Sequence, residues 1–499
     1  MVISTLGIAA TSQTLASQAA AQILAHGGSA MDAAITANAV LGVVEPMSDG
    51  IGGDLFAIYW EAASGKLTGI NASGWSPKNL DIETIRADAM PASGIHTVTV
   101  PGCVDGWSRL HQRFGKLRWS ELFRPAIHYA AAGFPVTEII QGQWSEAGRH
   151  APRVGELFRN ADLAGALQLI AGAGVDAFYR GPIAKALLQT SARLGGTMSA
   201  DDLHEYASEW VTPISTEYRG WSVYELPPNG QGMAALEMLN IMERFPLHQY
   251  GAQSADTWHI KIEAQKLAYA DLHRHLADPR HRDVPVEFLL SKPHAADLAR
   301  RIDLHPFPKG DTVYLAVVDR EGNIASLIQS IYQPFGSGIV VDGFGFHLHN
   351  RGALFSLDPT HPNALAPRKR PFHTIIPGFM QRGDTHIGFG IMGGFNQAQA
   401  HAQFVSNVVD HGMNIQAALE APRFTKHSIG GRDVMIERRV LESTREALRD
   451  LGHDLEVLGD YASEVGGGQA VLHDSGTHIN YAASSPRKDG AAIPEPLTF

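Results

Sequence analysis

Thr312 stands at the foot of a strand-like run, Val313-Tyr314-Leu315-Ala316-Val317-Val318, which Asp319-Arg320-Glu321-Gly322-Asn323 turns back into Ile324-Ala325-Ser326-Leu327-Ile328-Gln329. A hydroxyl where the turn-prone Pro308-Lys309-Gly310-Asp311 meets a strand is ordinary turn chemistry when taken alone. It is also what self-cleavage requires. Attack of the Thr312 Oγ on the Asp311 carbonyl carbon would shift the peptide to an ester, and hydrolysis would free Thr312 as a new N-terminus. Its α-amine, with an ordinary pKa of about 7.7–8.0, would be partly neutral near pH 7. It could then take the proton of its own hydroxyl and act as general base, so no histidine triad is needed. The tetrahedral intermediate needs hydrogen-bond donors. Gly393-Gly394, ending the strand-like run His386–Met392, can offer two adjacent backbone N–H groups that no side chain blocks.

Other reactive residues have weaker claims. Cys103, the single cysteine, follows Pro101-Gly102 and reads either as a thiol nucleophile or as a small buried residue. Among 24 histidines, His273, His275 and His281 cluster after a helix, and His347-x-His349 would put two rings on one face of a strand. Such pairs hold zinc or are hydrogen-bonded histidines; no cysteine partners them, and no carboxylate is fixed by spacing. Met47-Ser48-Asp49-Gly50-Ile51-Gly52-Gly53-Asp54 is glycine-rich. It lacks the lysine and the strand–loop–helix order of a phosphate cradle, which leaves close backbone approach as the plainer reading. No Gly-x-Ser-x-Gly nucleophile elbow occurs.

Helices and hairpins must position these residues. Thr14–His26 and a segment capped by Ser29 and running to Val44 read as alanine-rich helices. Leu55–Trp60 and Leu67–Ile70 read as a hairpin, and His96–Val100 and Tyr218–Tyr224 as strands. Val104–Ala132, with an interruption at Phe114–Trp119, and residues 155–210 are helical in pattern, as are Met233–Phe245, 255–276, Ala398–His411 and Ile415–Leu419. Phe335–Gly338 is a second glycine loop. Residues 278–309 read as a connector with local order only, and Ala366-Pro367-Arg368-Lys369-Arg370-Pro371 as a basic surface turn. The length of 499 residues allows one large unit or several domains, and 44% hydrophobic content supplies a core. A net charge of −11 without runs of one sign argues against a phosphate-backbone binder. No window is apolar enough to span a membrane and no signal peptide is apparent, so a soluble cytoplasmic protein is expected.

Further motifs fall in a fixed order: Gly27-Gly28-Ser29-Ala30-Met31-Asp32-Ala33-Ala34, Gly50-Ile51-Gly52-Gly53, Val100-Pro101-Gly102, Phe114-Gly115-Lys116-Leu117, Gly133-Phe134-Pro135-Val136, Asp311-Thr312, Phe335-Gly336-Ser337-Gly338, Gly393-Gly394, Ala421-Pro422-Arg423 and Ser485-Pro486-Arg487-Lys488-Asp489-Gly490. Over nearly the whole chain they resemble the gamma-glutamyltransferase (gamma-glutamyltranspeptidase) family of N-terminal nucleophile hydrolases. The resemblance implies an α+β fold of the four-layer αββα sandwich type. It also implies autocatalytic cleavage before Thr312, and chains 1–311 and 312–499 forming one intertwined heterodimer, which could pair again. Thr312 matches the nucleophile, Gly393 and Gly394 the oxyanion hole, Ser330 a hydroxyl that assists processing, and Asn350 the substrate loop. No cofactor or metal is implied.

The departures concern the substrate. Ser73 stands where family members carry the arginine that binds the γ-glutamyl α-carboxylate. Leu354 replaces the aspartate that binds the α-amine, Tyr332 an asparagine on the return strand, His373-Thr374 a serine pair, and Arg351 a neutral contact. Loss of that charge pair removes the reading of an α-amino acid. The expected activity is hydrolysis of a small-molecule amide whose acyl group is acidic, such as a dicarboxylic monoamide, with Arg351 and His373 holding its carboxylate. A glutathione hydrolase or gamma-glutamyltransferase with a modified pocket, and a non-catalytic ligand-binding protein, are the alternatives.

Overall fold

The computed structural model describes residues 1–300, 313–426 and 431–498. Its frame is two seven-stranded sheets. In the first, the strands run in the order Ala492–Pro494, Ile8–Thr11, Val313–Val318, Ile324–Ser330, Asp54–Glu61, Lys66–Ala72 and Glu209–Val211. In the second the order is Val2–Ser4, Ile479–Ser484, Gly468–Asp474, Thr385–Ile391, Gly378–Arg382, Trp221–Glu225 and Ile214–Tyr218. Every pairing within these sheets is antiparallel.

Strand Val313–Val318 shows why the layers stack. All six of its residues are buried, so both faces are covered. Val313, Leu315 and Val317 join Leu55, Ala57 and the helices Ala30–Val44 and Cys103–Phe114 in one core. Tyr314, Ala316 and Val318 face the opposite way and pack with Phe56, Ile58, Phe379 and Val471 between the sheets. On the far side, Val223, Met380, Ile387 and Phe389 pack under helices Gly232–Met242, Ala255–His275 and Asn396–Val409. The order is helix, sheet, sheet, helix, the α+β sandwich that the resemblance implies. Helix Ala30–Val44 tolerates this depth because it is mostly alanine and valine. Its N-terminus is closed by a capping box in which Ser29 Oγ accepts from Asp32 N–H and the Asp32 carboxylate accepts from Ser29 N–H.

Three local expectations change. Tyr218–Tyr224 is two strands, because Arg219 and Gly220, with φ of +47° and +79°, turn the chain between them. Residues 96–100 form no strand: Ile95–Thr97 is a single 3₁₀ turn, and Val100 N–H meets only Trp75 O at 3.0 Å. Lys369 and Arg370 are buried rather than on a surface turn. Lys369 Nζ donates to the Pro362 and Ala364 carbonyls, and Arg370 Nη1 to Glu209. No helix among the described residues is long and apolar enough to cross a membrane.

Candidate active site

The site is built where strand Ile324–Ser330 ends. Val313, the residue after Thr312, pairs with Gln329, and Ser330 pairs with Asp54. Thr312 itself lies outside the described residues. Ser330 is fully buried, and its Oγ accepts the Tyr332 N–H at 2.8 Å. That bond accompanies a turn in which Tyr332, just past the strand rather than on it, has φ +78°. A bulky residue in the left-handed region is a strained position of the kind that collects at functional sites. The loop Met47–Gly53 closes the opposite side. A Cβ at Gly52 would lie 2.2 Å from His347 O, and one at Gly53 would lie 2.5 Å from Ser330 O, so its glycines serve close backbone approach.

Gly393 and Gly394 follow strand Thr385–Ile391 with φ of +111° and +59°. Their carbonyls are anchored: Asn396 N–H donates to Gly393 O at 2.9 Å and Gln231 Nε2 to Gly394 O at 2.8 Å. Neither glycine N–H donates to a described backbone carbonyl. Two adjacent donors without a described acceptor, on residues whose carbonyls are fixed, have the form of an oxyanion hole. Gln231 also donates from Nε2 to Thr374 O at 2.5 Å and from its backbone to His373 O at 3.1 Å. One side chain therefore couples the glycine pair to His373-Thr374.

Arg351 is the unusual group. Its side chain has no exposed surface. Nη1 donates to Thr374 Oγ1 at 2.7 Å, and the guanidinium carbon lies 4.5 Å from the centre of the Tyr332 ring. The plane is thus fixed on one face and at one corner. Nε and Nη2, the two nitrogens of one edge, have no hydrogen-bond partner among the described residues. Burial pulls its pKa down to about 10, against the pull of Asp54, so it remains cationic at neutral pH. Asp54 does not fill the open edge, since its Oδ2 is 3.9 Å from Nε. The Asp54 oxygens are already used: Oδ1 accepts Gly74 N–H at 3.0 Å and Oδ2 accepts His373 Nε2–H at 2.9 Å. A buried Nε–Nη2 edge with no partner fits a bidentate oxyanion such as a carboxylate.

The two histidines beside Asp54 play a different part. Burial would raise the Asp54 carboxyl, but His349, His373 and Arg351 together hold it below the ordinary carboxylate range. Burial, with Arg351 nearby, pushes His373 down to about 3. Its Nδ1 accepts from Ile375 N–H at 3.4 Å while Nε2 serves Asp54. Both ring nitrogens are engaged and the ring is neutral, so His373 positions Asp54 and has no charge to offer a substrate carboxylate. His349 Nδ1 is 3.3 Å from Asp54 Oδ2 and its Nε2 is 3.0 Å from Thr99 O. His349 is therefore a member of the Asp54 cluster, and burial lowers its pKa.

The remaining expected residues divide. The Asn350 side chain is engaged within the protein: its amide donates to Ala92 O and Gln333 Oε1, both at 2.7 Å, and accepts from Gln333 N–H. Ser73 is buried, and its Oγ accepts from Asn229 Nδ2 at 3.1 Å. Behind it the Arg370 Nε donates to Ser73 O at 3.0 Å. Leu354 packs at the edge of the second helical layer's core. Cys103 is fully buried, and burial raises its thiol well above the usual range, which removes it as a nucleophile. Sequence spacing marks neither Asp54, Gln231 nor Arg370, and it marks His349 only as half of a histidine pair.

Comparison with known proteins fits this geometry. The profile of the family described as Gamma-glutamyltranspeptidase matches residues 16–495. The chain belongs to the gamma-glutamyltranspeptidase family. It is accordingly an enzyme, a self-processing amidohydrolase of the N-terminal nucleophile class. Among relatives within the family, the glutathione hydrolase-like YwrD proenzyme of Bacillus subtilis is 36% identical, with 99% of each chain covered. The oxamate amidohydrolase proenzyme of Klebsiella pneumoniae is also 36% identical, with 98% of each covered. In structure, the cephalosporin acylase from Bacillus halodurans superposes with a TM-score of 0.94 at 41% identity, over 100% of this chain and 97% of that one.

Proposed function

We propose that this gamma-glutamyltranspeptidase family member hydrolyses an amide whose acyl group carries a second carboxylate, and that Arg351 reads that carboxylate. One observation carries the reading: a fully buried, cationic guanidinium with its Nε–Nη2 edge unpaired. A buried donor left without a partner costs free energy, and a substrate carboxylate in that place removes the cost. The relatives point the same way. Oxamate is itself a monoamide with a carboxylate beside it, and one relative is named as its amidohydrolase.

Cleavage between Asp311 and Thr312 frees Thr312 as nucleophile and general base. Its Oγ attacks the amide carbonyl carbon, and the Gly393 and Gly394 N–H groups bind the oxyanion. The amine leaves with a proton passed through the α-amine, and water releases the acid from the ester. Ser330 assists processing from the strand beside it. Fragments 1–311 and 312–499 stay together as a heterodimer, because each sheet takes strands from both: four and three in the first sheet, three and four in the second.

The test is a substrate panel on purified, processed enzyme. It comprises the monoamides of dicarboxylic acids from oxamate to glutaramate, the methyl esters of the same monoamides, and a γ-glutamyl anilide. A marked preference for one acidic monoamide over its neutral ester is expected. Equal rates on acid and ester, or a preference for the γ-glutamyl anilide, would overturn the assignment.

A further inference from the structure

In the second helical layer, three helices bring one histidine and two carboxylates together. Glu237 lies on Gly232–Met242, Asp271 on Ala255–His275 and His294 on Lys292–Ala299. One ligand-capable atom of each lies within 4.8 Å of the other two. His294 Nε2 is 2.7 Å from Asp271 Oδ2 and 3.5 Å from Glu237 Oε1. Glu237 is completely buried, and among the described residues its carboxylate makes no hydrogen bond of ordinary length: His294 Nε2, at 3.5 Å, is the charged group beside it. Two buried carboxylates sharing one imidazole nitrogen are costly to hold together, and a cation at their centre would relieve that cost.

We propose that Glu237, Asp271 and His294 bind a divalent transition-metal ion, zinc by preference, which fastens helix Lys292–Ala299 to the two helices beneath it. One imidazole nitrogen and two carboxylate oxygens are a donor set that zinc accepts, with water in the fourth position. Tetrahedral zinc, with bonds of about 2.0–2.2 Å, sets its ligand atoms roughly 3.3 Å apart. The 2.7 and 3.5 Å separations fall on either side of that value. The Asp271 and His294 side chains keep 8% and 12% of their surface exposed, which leaves a water-side opening. The His294 ring packs from outside the trio against Phe288, whose ring centre is 4.5 Å away, and Ser291 caps the start of its helix by accepting from His294 N–H.

A second trio, His259, Glu263 and His453, is less suited: the buried Lys266 Nζ holds Glu263 Oε1 at 2.5 Å and its charge opposes a metal ion, whereas the Arg274 that approaches Asp271 at 3.7 Å is exposed. The helix that the ion would fasten is eight residues long and buries only Ala295 and Leu298. It is also the last described helix before position 312 in the chain, so the ion would anchor the polypeptide that leads to the proposed cleavage point.

The test uses the full-length purified protein, dialysed against chelator and then titrated with zinc chloride. Bound zinc is counted by elemental analysis, and cobalt(II) serves as a spectroscopic substitute. Binding of about one zinc per chain is expected, with a rise in melting temperature of about 2–6 °C at saturation. Glu237→Gln and His294→Gln each abolish both effects, and His259→Gln leaves them intact. If one of the first two variants fails to fold, the other decides. Less than a tenth of an ion per chain, a thermal shift retained in both variants, or loss of binding in His259→Gln instead would overturn the proposal.

Discussion

Replacing Arg351 by methionine keeps much of the side-chain volume while removing the guanidinium, and its effect can be estimated from the structure. Arg351 and Asp54 are 3.9 Å apart. At an effective dielectric constant of about 20, that separation corresponds to roughly 4 kcal/mol of attraction. A substrate carboxylate on the Nε–Nη2 edge makes a pair of comparable strength. Removing one member of a buried, hydrogen-bonded charge pair costs about 2–5 kcal/mol, or about 30- to 5000-fold in kcat/KM at about 1.4 kcal/mol per decade. The single variant confounds two losses, since it also leaves Asp54 buried without its cation. The informative protein is therefore Arg351→Met combined with Asp54→Asn, which stays neutral at this pair. Its kcat/KM is measured on an acidic monoamide and on the corresponding methyl ester. The ratio of the two should fall at least 30-fold, with the loss concentrated on the acidic substrate. A ratio unchanged within about threefold would refute the reasoning, because no part of the discrimination would then depend on the guanidinium.

Further outcomes follow from the same geometry. Gly394→Ala puts a side chain on a residue with φ +59°, so kcat in steady-state assays should drop about 10²–10³-fold; a drop of less than tenfold would remove the pair from the oxyanion role. Acid should destabilise the fold. His373 and His453 are both held down to about 3, chiefly by burial. A histidine released by unfolding takes its proton near pH 6.5, whereas these two in the fold do not. Their stabilisation is therefore complete above about pH 6.5 and declines towards pH 3, by up to about 1.4 kcal/mol per pH unit for each group. Asp54 adds to this at lower pH, being present above the ordinary carboxylate value and lost as pH falls through its depressed one. Urea unfolding of His373→Gln across pH 7 to 4.5 should give a flatter slope than wild type, and an identical slope would contradict the assignment of a neutral buried ring.

The layered fold was legible because its signals are local. The alternation in Val313–Val318, the Ser29 cap and the alanine-rich helices each need only a short window of sequence. The candidate site was legible in part, through Arg351, Thr374, Gly393 and Gly394. What stayed hidden depends on distant contacts. Asp54 closed a glycine-rich loop and offered no spacing signal, since its partners lie at positions 74, 349, 351 and 373. His349 appeared as half of a metal pair because alternation on a strand was assumed for it and His347, whereas the fold sends His349 to Asp54. Arg370 looked like surface charge because its partners, Ser73 O and Glu209, belong to other strands and loops. Gln231 carried no sequence signal, although it ties the glycine pair to His373-Thr374.

The most direct test of the central claim, that Thr312 becomes the N-terminal nucleophile, is the intact mass of the denatured protein combined with sequencing of the smaller fragment. Two masses are predicted, corresponding to residues 1–311 and 312–499, with threonine first in the smaller one, and a single uncut chain for Thr312→Ala. An uncut wild-type chain that still hydrolyses amides, or a smaller fragment beginning at another residue, would contradict the account.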